Sequence, residues 1–176
     1  DAFNAMTDRR ITSAARTAII GDVYARHESA SMARIGAERR LSIASHLTNT
    51  TWHAYFVDNY DLADVNLATA RAYLRDIRPV HFDPRIRENR LAELARTRDA
   101  VAEAQQRTKA FRELHALHLA GLDASAKPRD AHARLVTGAY LGAVRRLWGS
   151  ACGELAECDE PNVQRAAEFE RMRPNT

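Results

Sequence analysis

Residues that interrupt α-helices are scarce in this chain, and their scarcity constrains the fold more than any other feature. The 176 residues include only 7 glycines and 5 prolines, and the first proline is Pro79. The 33 alanines favour helix, as do the abundant leucines, arginines and glutamates, whereas aromatic residues make up only 7% of the chain. The sequence therefore predicts an all-α protein, long enough to bury roughly two thirds of its unfolded surface.

Four stretches predict long helices: residues 7–57, 61–78, 84–122, and 128 to 152 or 158. Thr7 or Asp8 can cap the first helix, and Asp61 is the candidate cap of the second. Asp83 and Pro84 form the cap-then-proline pair that opens helices, and the third helix is expected to begin there.

The connections between these helices are short, which makes neighbouring helices antiparallel. We therefore expect an antiparallel up-down four-helix bundle over residues 1–158, with long first and third helices. Residues 159–176 are expected to form a C-terminal tail with a short amphipathic helix.

Heptad spacing supports packing of this kind, because small, apolar and a few polar residues recur at alternating steps of three and four. The second helix carries this pattern at Ala63, Leu67, Ala70, Leu74 and Ile77. The third carries it at Leu94, Thr97, Val101, Ala104, Thr108, Phe111, His115, His118 and Leu122.

Charge is balanced along the chain. There are 26 Lys and Arg residues against 23 Asp and Glu, giving a net charge of +3. Residues 1–60, 61–126 and 127–176 each carry one more basic than acidic residue. Because no segment is strongly basic, we expect no nucleic-acid partner. No apolar run approaches the roughly 18 residues of a membrane helix, so we expect membrane contact only through flanking segments outside this sequence.

Motifs that carry catalysis are absent from the sequence. It contains no Glu-x-x-His pair for a di-iron bundle, no Cys-x-x-Cys-His for covalent haem, no glycine-rich phosphate loop and no Gly-x-Ser-x-Gly. The sequence therefore predicts a protein that is not an enzyme, and it identifies no cofactor.

Three histidines form the most specific candidate site. His115 and His118 fall on the heptad pattern of the third helix, and a hairpin centred near Ser125 would place His118 opposite His132. Such a cluster could bind a metal, a haem or another ligand, or respond to pH. The alternatives are hydrogen-bonded interhelical histidines, or a hairpin whose register is shifted by one turn. Tyr140 and Trp148 are candidate lids over this ligand site.

Glycines of the fourth predicted helix form a second pattern. Offsets of 0, 4, 11 and 15 place them on one stripe of a continuous helix: Gly138, Gly142, Gly149 and Gly153. Each glycine costs a helix about 1 kcal/mol relative to alanine, so the stripe indicates close approach of a partner. That partner could be another helix, a second subunit or a ligand.

The two cysteines, Cys152 and Cys158, lie six residues apart. On a continuous helix they would be too far apart for a disulfide. They are either free thiols or, if the helix ends between them, a disulfide.

An aromatic group precedes the break after the first helix. Trp52, Tyr55 and Phe56 share one helical face at spacings of three and four, and Tyr60 follows. Such a group is more typical of a core than of a binding site.

Residues 39–114 resemble a known class of domain. Two long helices, the segment Tyr55-Phe56-Val57-Asp58, the second heptad pattern and a proline-bounded turn into Arg90-Leu91-Ala92-Glu93-Leu94 look like the periplasmic helical-bundle sensor domains of bacterial chemoreceptors and histidine kinases.

The resemblance implies a non-catalytic domain that binds a small ligand between helices and signals by helix displacement, usually as a homodimer. It also implies a periplasmic or otherwise extracytoplasmic location, which the start at Asp1 without a methionine favours. The alternative is an assembly subunit that docks on other protein chains through its glycine stripe and tail. A third hypothesis is a metal- or haem-binding bundle.

Overall fold

The computed structural model describes residues 36–172. In this range the chain forms six α-helices and one 3₁₀ turn, with no β-strand. The all-α prediction is confirmed for this part of the chain. The predicted start of the first helix at Thr7 or Asp8 lies outside the described residues.

The helices are α1 (Ala37–Tyr55), α2 (Tyr60–Leu74), α3 (Arg87–Gly121), α4 (Ala131–Ala143), α5 (Trp148–Leu155) and α6 (Pro161–Met172). The 3₁₀ turn Pro79–His81 lies between α2 and α3. The tail helix α6 begins at Pro161, in the segment where a short amphipathic helix is predicted. The long third helix is also present, with 35 residues.

The single fourth helix was a wrong prediction. Its residues form α4 and α5, separated by residues 144–147. Arg146 adopts a φ of 57°, in the left-handed region, where a helix cannot continue. Across the break, the Leu147 N–H donates to the Leu141 carbonyl at 2.9 Å in place of a helical hydrogen bond. No glycine or proline marks this break in the sequence.

The chain divides into two compact units, with the boundary between Thr108 and Lys109. The predicted boundary, between residues 158 and 159, is therefore not where the compact units separate. Among the described residues, α1, α2 and the first part of α3 belong to the first unit, and the rest of α3 with α4, α5 and α6 belongs to the second. The up-down four-helix arrangement stays a prediction.

The core of the first unit follows the predicted heptad positions. All five heptad positions predicted for the second helix are buried. The first five heptad positions predicted for the third helix are buried as well: Leu94, Thr97, Val101, Ala104 and Thr108. One core cluster joins Leu41, Ala44 and Leu47 of α1 to seven of these residues: Leu67, Ala70, Leu74, Ile77, Leu94, Val101 and Ala104. The heptad pattern therefore identified the buried face of each helix in this unit.

The aromatic residues near the C-terminal end of α1 pack within this unit. Tyr55 is fully buried, and its hydroxyl makes a hydrogen bond of 2.8 Å with Thr108 Oγ1 and donates to the Ala104 carbonyl at 3.2 Å. The Tyr55 ring packs edge-on against Trp52 and stacks on Tyr60. The core role holds for Tyr55 and Tyr60, which are buried, whereas Trp52 is half-buried and Phe56 is 37% exposed.

The turn between α1 and α2 ends the first helix sharply. Asp58 has a φ of 55°, and the Asn59 N–H reaches back to the Ala54 carbonyl at 2.9 Å, which is the Schellman pattern. Asn59 Oδ1 then accepts from the Leu62 N–H at 3.0 Å and caps α2. The predicted cap, Asp61, lies inside the first turn of α2 instead.

The helix starts after Pro84 and Pro128 also differ from prediction. Asp83 accepts a hydrogen bond from the Arg85 N–H in a turn, and α3 begins at Arg87. Asp130, not a residue beside Pro128, caps α4 by accepting from the Ala133 N–H at 2.8 Å. A proline fits a helix start without fixing it, and the capping side chain decided the position here.

Candidate functional site: a groove between two helices

A groove of about 810 Å³ lies between α2 and α3 in the first unit. Its floor contains Leu74 and Val101, which are buried core residues. Ala68 and Ala102 line it with small, exposed side chains, one from each helix. Small residues on facing positions leave the space open, since a larger side chain at either position would occupy it.

Three arginines supply the charge of this groove. Arg71 lies in the last turn of α2, Arg75 is the C-cap residue of α2 four positions later, and Arg98 is on α3. Arg98 Nη2 donates to the carbonyl of Leu74, the last residue of α2, at 3.1 Å. Gln105 adds a neutral amide to the lining.

The end of α2 is held from two sides. Arg98 binds the Leu74 carbonyl from α3, and Arg40 of α1 donates through Nε to the neighbouring Tyr73 carbonyl at 2.9 Å. Helix C-termini leave carbonyls without helical partners, and cations there also interact favourably with the helix dipole. The groove thus lies next to the point where α1 and α3 both hold the end of α2.

Three arginines elsewhere in the described chain have carboxylate partners. Arg90 pairs with Glu93 and Glu38, Arg107 with Glu103, and Arg134 with Glu154 and Glu157. The hydrogen bond that Arg90 donates to Glu93, followed by the charges of Glu93 and Glu38, raises the pKa of Arg90. For Arg71 and Arg75, no carboxylate in residues 36–172 lies within ion-pair distance.

A second, smaller groove of about 410 Å³ lies between α1 and α3. Its lining is polar and of mixed charge, with Thr48 and Asn49 on one side and Glu93, Arg96 and Thr97 on the other. The hydroxyls of Thr48 and Thr97 donate to carbonyls of their own helices, and Glu93 is bound to Arg90. Its polar groups are therefore largely engaged within the protein.

The predicted histidine site is only partly assembled, in the second unit. His115 and His118 of α3 both stack on Tyr140 of α4, with ring centroids 5.2 and 4.5 Å from the tyrosine ring. His118 Nδ1 makes a hydrogen bond of 3.1 Å with Thr137 Oγ1. His115, His118 and Tyr140 therefore lie together, as part of the predicted site. His118 is hydrogen-bonded from α3 to α4, which agrees with the alternative of hydrogen-bonded interhelical histidines.

His132 does not join them, so its predicted place opposite His118 was wrong. It is 72% exposed and lies 3.4 Å from the Asp159 carboxylate. The turn between α3 and α4 is centred on Ser125, with Leu122 bridging to Pro128. The two helices are not placed symmetrically about it, because α3 ends at Gly121 and α4 begins only at Ala131, and His118 contacts Thr137 instead of His132. Trp148, the second predicted lid, is 57% exposed and lies over Gly142.

The glycine stripe is divided by the break between α4 and α5. A Cβ on Gly138 would lie 2.5 Å from Leu155, and one on Gly142 would lie 2.9 Å from Trp148. The absence of a side chain at these two glycines therefore allows α5 to pack closely against α4. A Cβ on Gly149 or Gly153 would meet nothing within 4 Å. The partner of the first two is another helix of the same chain, and the single stripe of four was wrong.

Both cysteines are free thiols. The α5 helix ends at Leu155, between Cys152 and Cys158, yet no disulfide joins them. Cys158 is buried, and its sulfur approaches the Glu160 carbonyl at 3.8 Å.

From residue 36 to residue 172, no three His, Cys, Asp or Glu side chains are grouped so that they could hold a metal ion. In the same range, none of the helices combines the length and the apolar character needed to span a membrane.

Sequence reasoning missed the arginine groove. The signal was present in Arg71 and Arg75, whose spacing of four places two positive charges side by side on a helix. Their meeting with Arg98 depends on the packing of α2 against α3.

No family model matches the chain, and neither curated proteins nor solved structures provide a match.

Proposed function

We propose that this chain is a non-catalytic, extracytoplasmic helical-bundle domain that binds a small ligand and signals by helix displacement, acting as a homodimer. The observation that carries this proposal is the groove between α2 and α3, lined from both helices. It lies within residues 39–114, the part of the sequence that resembles periplasmic sensor domains. An up-down four-helix bundle is the arrangement that this proposal assumes.

The contacts at the end of α2 supply a mechanism. A ligand in the groove touches both α2 and α3, so its binding free energy depends on their separation. Arg98 lines the groove and also donates a hydrogen bond to the Leu74 carbonyl. A ligand that binds Arg98 therefore changes the hydrogen bond that holds the end of α2. Binding then favours one arrangement of the two helices over another.

Ligand screening with a blocked groove tests this proposal. Thermal unfolding is measured with amino acids, organic acids, sugars and polyamines. A ligand present at about 100 times its Kd stabilises the folded state by roughly 2.7 kcal/mol, and each kcal/mol raises the Tm of a chain of this size by about 2–4 °C. We expect at least one class of ligand to raise the Tm.

The groove is then filled by Ala68→Trp or Ala102→Trp, at exposed positions where the new ring does not enter the core. Either variant should abolish the ligand-dependent rise. Ala92→Trp is the matched control, because Ala92 is an exposed alanine of α3 outside the groove. A rise that survives both groove variants, or the absence of a rise with every ligand class, contradicts the proposal.

An assembly role is the second candidate, and exposed apolar residues of the second unit favour it. Trp148 of α5 and Phe169 and Met172 of α6 are between 57% and 79% exposed. Light scattering distinguishes the two functions, since an assembly subunit forms a large ordered oligomer whereas the sensor forms a dimer. Phe169→Ser combined with Met172→Ser should dissolve such an oligomer without affecting ligand binding.

A further inference from the structure

The groove between α2 and α3 concentrates positive charge that the described chain does not neutralise. Arg71 and Arg75 stand at a spacing where like charges on a helix repel, and Arg98 adds a third guanidinium from the facing helix. None of the lining residues is acidic. By contrast, Arg90, Arg107 and Arg134 are each paired with glutamate.

The geometry points to an organic anion with at least two carboxylate or phosphate groups as the ligand of this groove, held by Arg71 and Arg75 on one side and by Arg98 on the other. This inference rests on the proposed function and names the chemical class of its ligand.

The hydrogen-bonding capacity of the three arginines supports this class. A guanidinium has five N–H donors in a planar fork that matches the two oxygens of a carboxylate or phosphate. Arg98 uses Nη2 on the Leu74 carbonyl and retains donors on its other nitrogens. That bond also fixes the position of its guanidinium, so less side-chain entropy is lost when an anion binds.

The floor of the groove favours an organic ligand over an inorganic ion. Leu74 and Val101 present apolar surface between the arginines, and Gln105 offers an uncharged donor and acceptor. A carbon skeleton can cover the apolar floor while its anionic groups reach the guanidinium groups on either side. A volume of about 810 Å³ is within the range of small-molecule sites.

Calorimetric titration of the whole protein tests this inference. The probes are citrate for carboxylates and fructose bisphosphate for phosphates, with glycerol as the neutral and spermidine as the cationic counterpart. We expect saturable binding of at least one anion, and none of glycerol or spermidine. The stronger of the two anions identifies the oxyanion that the groove prefers.

Variants locate the anion. Arg71→Gln combined with Arg75→Gln removes two charges at exposed positions and should weaken anion binding at least about tenfold, since charge-assisted hydrogen bonds are lost. Arg98→Gln should weaken it similarly. Arg85→Gln is the matched control, because Arg85 is an exposed arginine of the same unit outside the groove, and it should bind as the wild type does. Circular dichroism checks that each variant is folded.

The outcomes separate this inference from the proposed function. If neither anion binds, or if the Arg71→Gln/Arg75→Gln variant binds the anion as tightly as Arg85→Gln does, the anion inference is wrong. If a neutral or cationic ligand binds and Ala68→Trp blocks it while the arginine variants do not, the inference fails and the proposed function stands. If Ala68→Trp leaves all binding unchanged, both fail.

Discussion

A single carboxylate organises the turn between α3 and α4. Asp123 Oδ1 accepts hydrogen bonds from the Ser125 N–H and hydroxyl, both at 2.7 Å, and from the Lys127 N–H at 3.0 Å. The backbone bond from Lys127 is the largest cause that lowers the pKa of Asp123, followed by the bonds from Ser125. Ala126 in this turn has a φ of 61°, a conformation that an alanine rarely adopts without such support.

The lowered pKa of Asp123 predicts a pH-dependent contribution to stability. A carboxyl whose folded pKa is depressed stabilises the protein above its unfolded pKa, about 3.9, and this stabilisation is lost as the pH falls through the folded pKa. We therefore expect Asp123→Ala to lower the Tm at about pH 7, and the difference from the wild type to shrink toward about pH 2. Thermal unfolding followed by circular dichroism measures both.

Asp123→Asn provides the control, since its amide keeps one acceptor oxygen without the charge. Its Tm should lack the component of acid sensitivity that the wild type owes to Asp123. A Tm deficit of Asp123→Ala that is the same at both pH values would show that the charge of the carboxylate does not matter.

At the scale of elements, the break between α4 and α5 determines which glycines matter. Because the chain turns at Arg146, α5 packs back on α4, and Gly138 admits Leu155 and the Ala151 carbonyl. Gly153, on α5, faces open space. Two glycines that look equivalent in the sequence therefore have opposite roles.

This difference predicts opposite effects of the same substitution. Gly138→Ala places a Cβ 2.5 Å from Leu155 and 3.1 Å from a backbone oxygen, and should destabilise the protein by about 1–3 kcal/mol through overpacking. Gly153→Ala meets no atom within 4 Å, and should stabilise it by up to about 1 kcal/mol through helix propensity. Urea unfolding measures both free energies.

Gly149→Ala serves as a second open-space control on α5. If Gly138→Ala and Gly153→Ala both stabilised the protein, α4 and α5 would have to be one continuous helix, and the packing of α5 on α4 would be wrong.

At the scale of the whole molecule, local charge and net charge have separate consequences. The 26 basic and 23 acidic residues are evenly interleaved, so long-range repulsion between them is small. The three arginines of the groove are a local exception. Because they are exposed, their attraction for an anion is screened by salt.

We therefore expect salt to affect binding and stability differently. Between about 0.1 M and about 1 M NaCl the Debye length falls from roughly 10 to 3 Å, and the affinity for citrate or fructose bisphosphate should fall markedly. The free energy of unfolding should change little over the same range. Titrations and urea unfolding at both salt concentrations measure the two quantities, and an affinity independent of salt would contradict an electrostatic site.

The sequence predicted most of the helical architecture in the first unit, because burial there follows a short-range rule. Leu67, Ala70 and Leu74 recur at heptad spacing, and each is buried. The prediction of one continuous fourth helix was wrong at Arg146, since neither glycine nor proline marks the break there. The prediction for His132 was wrong because the register of two helices depends on where each one begins and ends, and α4 begins only at Ala131 whereas α3 ends at Gly121.

The sequence by itself determined that the chain is helical, which faces of α2 and α3 are buried, and that Tyr55 belongs to a core. These properties depend on residues within a few turns of one another, so spacing along the chain is enough to specify them. Only the tertiary structure decided that Arg98 meets Arg71 and Arg75 in one groove, and that His118 meets Tyr140. Those meetings depend on how separate helices are placed against each other, which no local spacing encodes.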